Sequence, residues 1–155
     1  MLEQVSAADP EVGPLYAEFI REEDGPLGID LEAEIAAGPP PDLNPPGGVL
    51  LLARLGGEPI GIAGIRHLDT DVAEVKSMYV VPAQRGRGLG RRLLAAVEEI
   101  AADRGCSRVR LDTSDYLDEA IGLYRAAGYR EVPDYNGNAK ANLWFERLLV
   151  AADSL

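Results

Sequence analysis

Three glycines alternate with arginines and a leucine in Arg85-Gly86-Arg87-Gly88-Leu89-Gly90-Arg91-Arg92, the stretch of this chain best suited by residue type and spacing to do chemistry. Glycine lets the backbone take left-handed conformations, so successive N–H groups can converge on one point. A helix that starts at the end of such a loop adds its own free N–H groups and the positive end of its dipole. Arginine supplies planar, bidentate partners for phosphate oxygens. The chemistry is that of a cradle for a phosphate-bearing ligand. A strand-to-helix turn carrying incidental arginines has the same composition, so the surrounding elements have to decide between the two.

Those elements can be read in order. Asp9-Pro10-Glu11 reads as an N-cap with proline in the first turn, and Val12, Leu15, Tyr16, Phe19 and Ile20 recur at helical spacing up to Glu23. A weaker helical pattern covers Leu27 to Ala37. Residues 38–48 are so rich in proline and glycine that they read as a surface loop without a packed element. Strands follow at Val49–Leu55, Pro59–Leu68 and Val72–Val81, the first two joined by a tight Gly56-Gly57 turn. Leu89, Leu93, Leu94, Val97, Ile100 and Ala101 then trace one face of a helix ending before Gly105. A strand at Arg108–Thr113, a helix at Leu117–Ala127 and strands at Tyr129–Val132 and Leu143–Leu149 complete the order. The succession predicts an α+β domain with a mixed, mostly antiparallel sheet of about six to seven strands and about four helices. At 155 residues the chain reads as one domain, 1–155.

Composition narrows the function classes. The net charge of −11 argues against a nucleic-acid binder, and against that background four arginines within residues 85–92 mark a local anion site. No apolar run approaches the roughly 20 residues needed to span a bilayer, so no membrane is expected. The lone Cys106 cannot form an internal disulfide and suits a reducing, cytoplasmic compartment. It reads as structural.

With these blocks in place, the chain resembles the GNAT superfamily of acyl-CoA-dependent N-acetyltransferases. The family's pyrophosphate loop, Gln/Arg-x-x-Gly-x-Gly/Ala, is matched by Arg85 to Gly90. Glu74-Val75-Lys76-Ser77-Met78-Tyr79-Val80 resembles its fourth strand. Ala120-Ile121-Gly122-Leu123-Tyr124-Arg125-Ala126-Ala127-Gly128-Tyr129 is close to its Ala-x-x-Leu-Tyr-x-x-x-Gly-Phe/Tyr block. Three blocks in the right order cover residues 49–149. One departure is Leu117, which stands where many relatives carry an asparagine that contacts the cofactor; Ser114 is the candidate to replace it.

The resemblance implies a GNAT-like fold with a V-shaped opening between the fourth and fifth strands. Acetyl-CoA is the implied acyl donor, with no metal. Its pantetheine arm would pair with backbone groups of Met78, Tyr79 and Val80, and its pyrophosphate would sit on Arg85, Gly86, Arg87, Gly88, Leu89, Gly90 and Arg91. Arg92 or Arg125 would reach the adenosine end. A primary amine of a small molecule or peptide would be the acceptor, attacking the thioester directly in a ternary complex.

Such an amine, with a pKa of about 10.4, must lose a proton at neutral pH. Glu74 stands where several relatives place that base, usually acting through water; the other reading is a surface glutamate at the start of a strand, paired with Lys76 or Arg66. His67, at the end of the preceding strand, is a second candidate near the same mouth. The Val80 N–H would meet the oxyanion, and the Tyr124 hydroxyl would serve the departing thiolate. The first helix (Phe19, Glu22, Glu23, Asp24), the Asp69–Asp71 turn and the Tyr135–Asn138 loop are candidates for the acceptor pocket. The apolar last strand, Leu143 to Val150, could pair outward in a homodimer. A non-catalytic acyl-CoA sensor on the same fold is the alternative reading.

Overall fold

The computed structural model of the chain describes residues 1–149. Strand β1 (Leu2–Val5) is followed by helices α1 (Val12–Asp24) and α2 (Glu32–Ala37). Strands β2 (Gly48–Leu55), β3 (Glu58–His67) and β4 (Val72–Val80) form a meander. Then come α3 (Leu89–Asp103), β5 (Arg108–Thr113), α4 (Asp118–Ala126), β6 (Arg130–Val132) and β7 (Leu143–Leu148). The seven strands make one mixed sheet in the order β1-β2-β3-β4-β5-β7-β6. Every neighbouring pair is antiparallel except β4 and β5.

The apolar pattern dictates the layering. Leu93, Leu94, Val97 and Ala101 of α3 pack on one face of the sheet with Val49, Leu51, Ile65, Val75, Val109, Leu111 and Phe145. Burying each of the larger side chains stabilises the fold by on the order of 1.5–3 kcal/mol. Val12, Leu15, Tyr16 and Ile20 of α1 cover the other face over Leu50, Leu52 and Ile62. The run Val49–Ala53 is apolar at every position because β2 is buried on both faces. On β5 only Val109, Leu111 and Thr113 point into the core, and Arg108, Arg110 and Asp112 alternate with them.

Four expectations change. The second helix is only Glu32–Ala37, because Gly25–Leu27 is a 3₁₀ turn closed by left-handed Gly28, and Ile29 is exposed. Helix α1 begins at Val12 rather than at Pro10; Asp9 instead caps the Glu11 N–H through its side chain. The proline-rich stretch does carry a packed element. A 3₁₀ turn at Pro41–Leu43 drives fully buried Leu43 under the sheet, and a Cβ on Gly64 would lie 2.6 Å from it. Finally, β7 lies between β5 and β6, and β6 covers its outer side over Trp144–Glu146, so the expected outward pairing is blocked along the middle of the strand. Val150, also part of that expectation, lies outside the described residues.

Candidate active site

The opening expected between the fourth and fifth strands is present. β4 and β5 pair only over Val72–Glu74 and Arg108–Arg110, then part. A bulge at Ser77 accompanies the parting. Two β4 residues, Ser77 and Met78, oppose one β3 residue, and Ser77 has a left-handed φ of 55°. The bulge shifts the alternation of β4: Ala73 and Val75 face α3 before it, and Met78 and Val80 do so after it. Tyr79 turns toward α1. Val81 N–H bonds the Ile60 carbonyl, so Val80, one residue earlier, turns its backbone groups away from β3 and into the fork. Tyr79, which alternates with it, turns its own toward β3. Of the expected backbone partners of the pantetheine arm, Tyr79 is therefore already engaged. The Val80 carbonyl is also taken, by Arg85 Nε at 2.9 Å, which leaves the Val80 N–H facing the fork.

Two cavities meet in this fork. The larger, about 830 Å³, runs along Met78–Val80, the glycine loop and the edge of α4. The smaller, about 360 Å³, lies among α1, β4, β5 and the loop after β6. Phe19, Glu23, Met78 and Tyr124 line both, so these four mark the junction.

In the larger cavity Gly86 and Gly88 both have φ of 80°, and α3 starts from Gly88. Among the described residues the N–H groups of Gly86, Arg87, Gly88, Leu89, Gly90 and Arg91 have no intramolecular acceptor, whereas Arg92 N–H closes the first helical bond to Gly88. Gly90 has a different reason to be small: a Cβ there would come within 3.2 Å of Leu123 and 3.5 Å of Met78. Arg85 departs from the expectation. Its N–H is bonded to Pro82, and its guanidinium turns back to Glu22 (2.6 Å) and over the Tyr79 ring. It braces the loop against α1 and does not face outward with Arg87 and Arg91, which are exposed.

Tyr124 is 7% exposed, wedged against Tyr129 and Phe145. Burial, and then the charges of Glu23 and Asp112, raise its pKa, so it remains a neutral hydroxyl donor throughout the physiological range. Among the described residues its hydroxyl has no protein partner, yet it is not sealed in.

Glu74 is placed differently from its expected role. It is 0% exposed and does not line either cavity. One carboxylate oxygen accepts from Arg66 Nε at 3.0 Å, and the other accepts from the Tyr135 hydroxyl at 2.5 Å and Asn136 Nδ2 at 3.1 Å. Asn136 and Asn138 also donate to Asp112, at 2.6 and 3.2 Å, and Lys76 pairs with Asp112 at 3.3 Å. This carboxylate network orders the wall of the smaller cavity. Lys140 adds a second knot by pairing with Asp24 and Glu34. Burial alone would lower the Lys140 pKa, but these two carboxylates carry it above its ordinary value.

Glu22 lines only the larger cavity and pairs with Arg85; of the other acceptor-pocket candidates, Phe19, Glu23, Asp24, Asn136 and Asn138 line the small one. The Asp69–Asp71 turn does not. It holds Ser107 at the closed end of the β4–β5 pair. His67 is there too, 3.8 Å from Cys106 and outside both cavities, which corrects its placement at the mouth. Burial, followed by the charges of Asp71 and Asp69, raises the Cys106 thiol and keeps it protonated, as suits a structural cysteine. Ser114 donates to the Lys140 carbonyl at 3.2 Å and lines the small cavity, away from the groove it was expected to serve. The expected pairing of Glu74 with Arg66 is present, whereas sequence reasoning missed Asp112 and Lys140. Each is one charge on a strand or loop, and no motif surrounds it.

Among the described residues no helix is long and apolar enough to cross a membrane, and no cluster of His, Cys, Asp and Glu suits a metal. The profile of the acetyltransferase (GNAT) family matches residues 12–129. An uncharacterized N-acetyltransferase of Escherichia coli, YjgM, is 37% identical over 93 residues, covering 58% of this chain and 55% of its own. A thialysine N-epsilon-acetyltransferase of Sus scrofa is 36% identical over 63 residues, covering 41% of this chain and 37% of its own. The chain thus spans about half or less of these curated relatives. A solved structure from Klebsiella pneumoniae, described as an acyl-CoA N-acyltransferase, superposes with a TM-score of 0.78 at 27% identity over 97% of both chains.

Proposed function

The chain belongs to the GNAT family of acetyltransferases, and from that premise we propose that residues 1–155 act as one N-acetyltransferase domain. It moves the acetyl group of acetyl-CoA to a primary amine of a small molecule or peptide, by direct attack in a ternary complex. The observation that carries this reading is the pair of cavities meeting at Tyr124, with six free N–H groups at the far end of the larger one. The pyrophosphate binds these N–H groups, with Arg87 and Arg91 screening its charge, and the pantetheine arm follows β4 past Val80 into the fork. That route delivers the thioester to the junction.

The acceptor enters through the small cavity. Its nitrogen forms a bond to the thioester carbon, and the Val80 N–H bonds the resulting oxyanion. As the carbon–sulfur bond breaks, the Tyr124 hydroxyl donates to the thiolate and regains the proton that the new amide nitrogen must shed. Positioning both reactants in one fork supplies much of the rate by removing translational freedom beforehand. The balance is one amine and one thioester giving one amide and one thiol.

The test is thiol release from acetyl-CoA against a panel of amino acids, polyamines, aminoglycosides and peptides. Release above background with at least one amine is expected. CoA binding without release across the whole panel would instead identify a sensor on the same fold.

A further inference from the structure

The small cavity brings several carboxylates near the reaction point, and all but one already have a partner. Asp24 and Glu34 share Lys140, Asp112 is held by Lys76, Asn136 and Asn138, and Glu74 is closed off behind Arg66 and Tyr135. Glu23 is the exception. Among the described residues its side chain has neither a cationic nor a hydrogen-bonded partner, and it lines both cavities alongside Tyr124. Resting on the proposed acetyl transfer, we propose that Glu23 is the proton acceptor for the incoming ammonium, a catalytic residue supplied by α1 in place of Glu74 on β4.

The backbone supports this placement. Glu23 is in the last turn of α1, and the Tyr116 hydroxyl donates to its carbonyl, tying that turn to the segment preceding α4. Tyr124 is on α4, so this tie holds the proton acceptor and the thiolate's donor in register across the junction. The electrostatics agree. Burial is the first cause that raises the Glu23 carboxyl, to about 8, followed by Asp24, Asp112 and Glu22, against an opposing pull from Lys76. The negative, carbonyl end of the α1 helix dipole acts in the same direction as those like charges. Tyr124 is neutral and faces the same space. A carboxylate in this setting is far more basic than an ordinary glutamate and carries no counter-ion, so a cationic amine is its natural partner.

The protons balance. The ammonium gives one proton to the Glu23 carboxylate and becomes the neutral nucleophile. The second nitrogen proton is exchanged through Tyr124 against the one donated to sulfur. After release of amide and thiol, Glu23 returns its proton to water.

The experiment uses the full chain and whichever panel amine the wild type acetylates best. Glu23→Gln is expected to lower kcat about 100-fold or more, within the range of acid–base catalysis. It should leave the CoA dissociation constant within about twofold and remove the rise of kcat/KM with pH through about 8. Carbon-13 titration of glutamate-labelled wild-type protein should show one carboxyl titrating near 8 that is missing from the variant, and this reading does not depend on turnover. Wild-type-like turnover with the same pH limb in Glu23→Gln overturns the proposal while leaving acetyl transfer standing. So does the absence of any glutamate carboxyl titrating above about 6. An inactive wild type overturns the transfer reading and, with it, this role for Glu23.

Discussion

The two cavities that meet at Tyr124 are built by opposite means. The groove along β4 and the glycine loop is made of backbone: free N–H groups, two left-handed glycines and a helix start within a few consecutive residues. The small cavity is made of side chains from α1, α2, β3, β4, β5 and the loop after β6, joined by ion pairs that bridge as many as 116 positions in sequence. In the proposed reading the backbone site recognises a constant feature, the pyrophosphate, and tolerates most changes of side chain. A site of interlocked charges recognises a particular body, and each member of it affects the others.

Loss of Glu23 is the strongest way to break this comparison, since it removes a side chain at the junction and leaves the backbone N–H row untouched. Tyr124→Phe comes next. It should lower turnover about tenfold or more with nearly unchanged CoA affinity, measured by steady-state kinetics beside a binding titration. Gly88→Val should do the reverse. A β-branched residue at φ 80° misplaces the N–H row, so CoA affinity should fall about tenfold with a smaller change in turnover at saturation. Equal affinity in that variant would contradict the backbone account of the groove.

Glu74→Gln separates structure from chemistry. Weakening a fully buried acceptor of Arg66, Tyr135 and Asn136 should destabilise the fold by on the order of 1–3 kcal/mol in chemical denaturation, while the pH limb through about 8 remains. Arg87→Ala and Arg91→Ala should have the smallest effects. Each should raise the KM for acetyl-CoA only two- to threefold or so, and more at low salt than at high, because both side chains are exposed and the backbone carries the contact.

The raised Glu23 carboxyl also makes a prediction about stability. Its folded-state pKa lies above the unfolded value, so the folded chain holds this proton more tightly, and ionising the group costs stability as pH rises from 4.5 to about 8. Glu23→Gln should therefore melt higher than the wild type at pH 8, with the gap closing toward pH 4.5. Thermal melts across that range check the sign.

Much of the fold was legible because its signals are local. The α3 face from Leu89 to Ala101, the alternation of β5 and the Gly56-Gly57 turn each lie within one element, and their boundaries agree with expectation to within a residue or two. The proline-rich stretch misled because its composition speaks only of backbone freedom. Leu43 is buried there by a surface that β2 and β3 supply from elsewhere. Arg85 misled for a related reason: a loop arginine reads as a phosphate ligand until Glu22 is brought beside it.

Glu74 and Glu23 mark the boundary most clearly. Sequence by itself determined the cradle at Gly86 to Arg91, the strand that feeds it and the helix that leaves it, because turn geometry and amphipathic period depend on neighbours in the chain. It could not rank the carboxylates. Which of them is engaged, buried or open depends on charges that come together only when α1 docks across the fork and the Tyr135–Lys140 loop closes over β5. Tertiary structure decided that Glu74 holds the wall together and that Glu23 faces the junction, because desolvation and pairing are properties of a place and not of a residue.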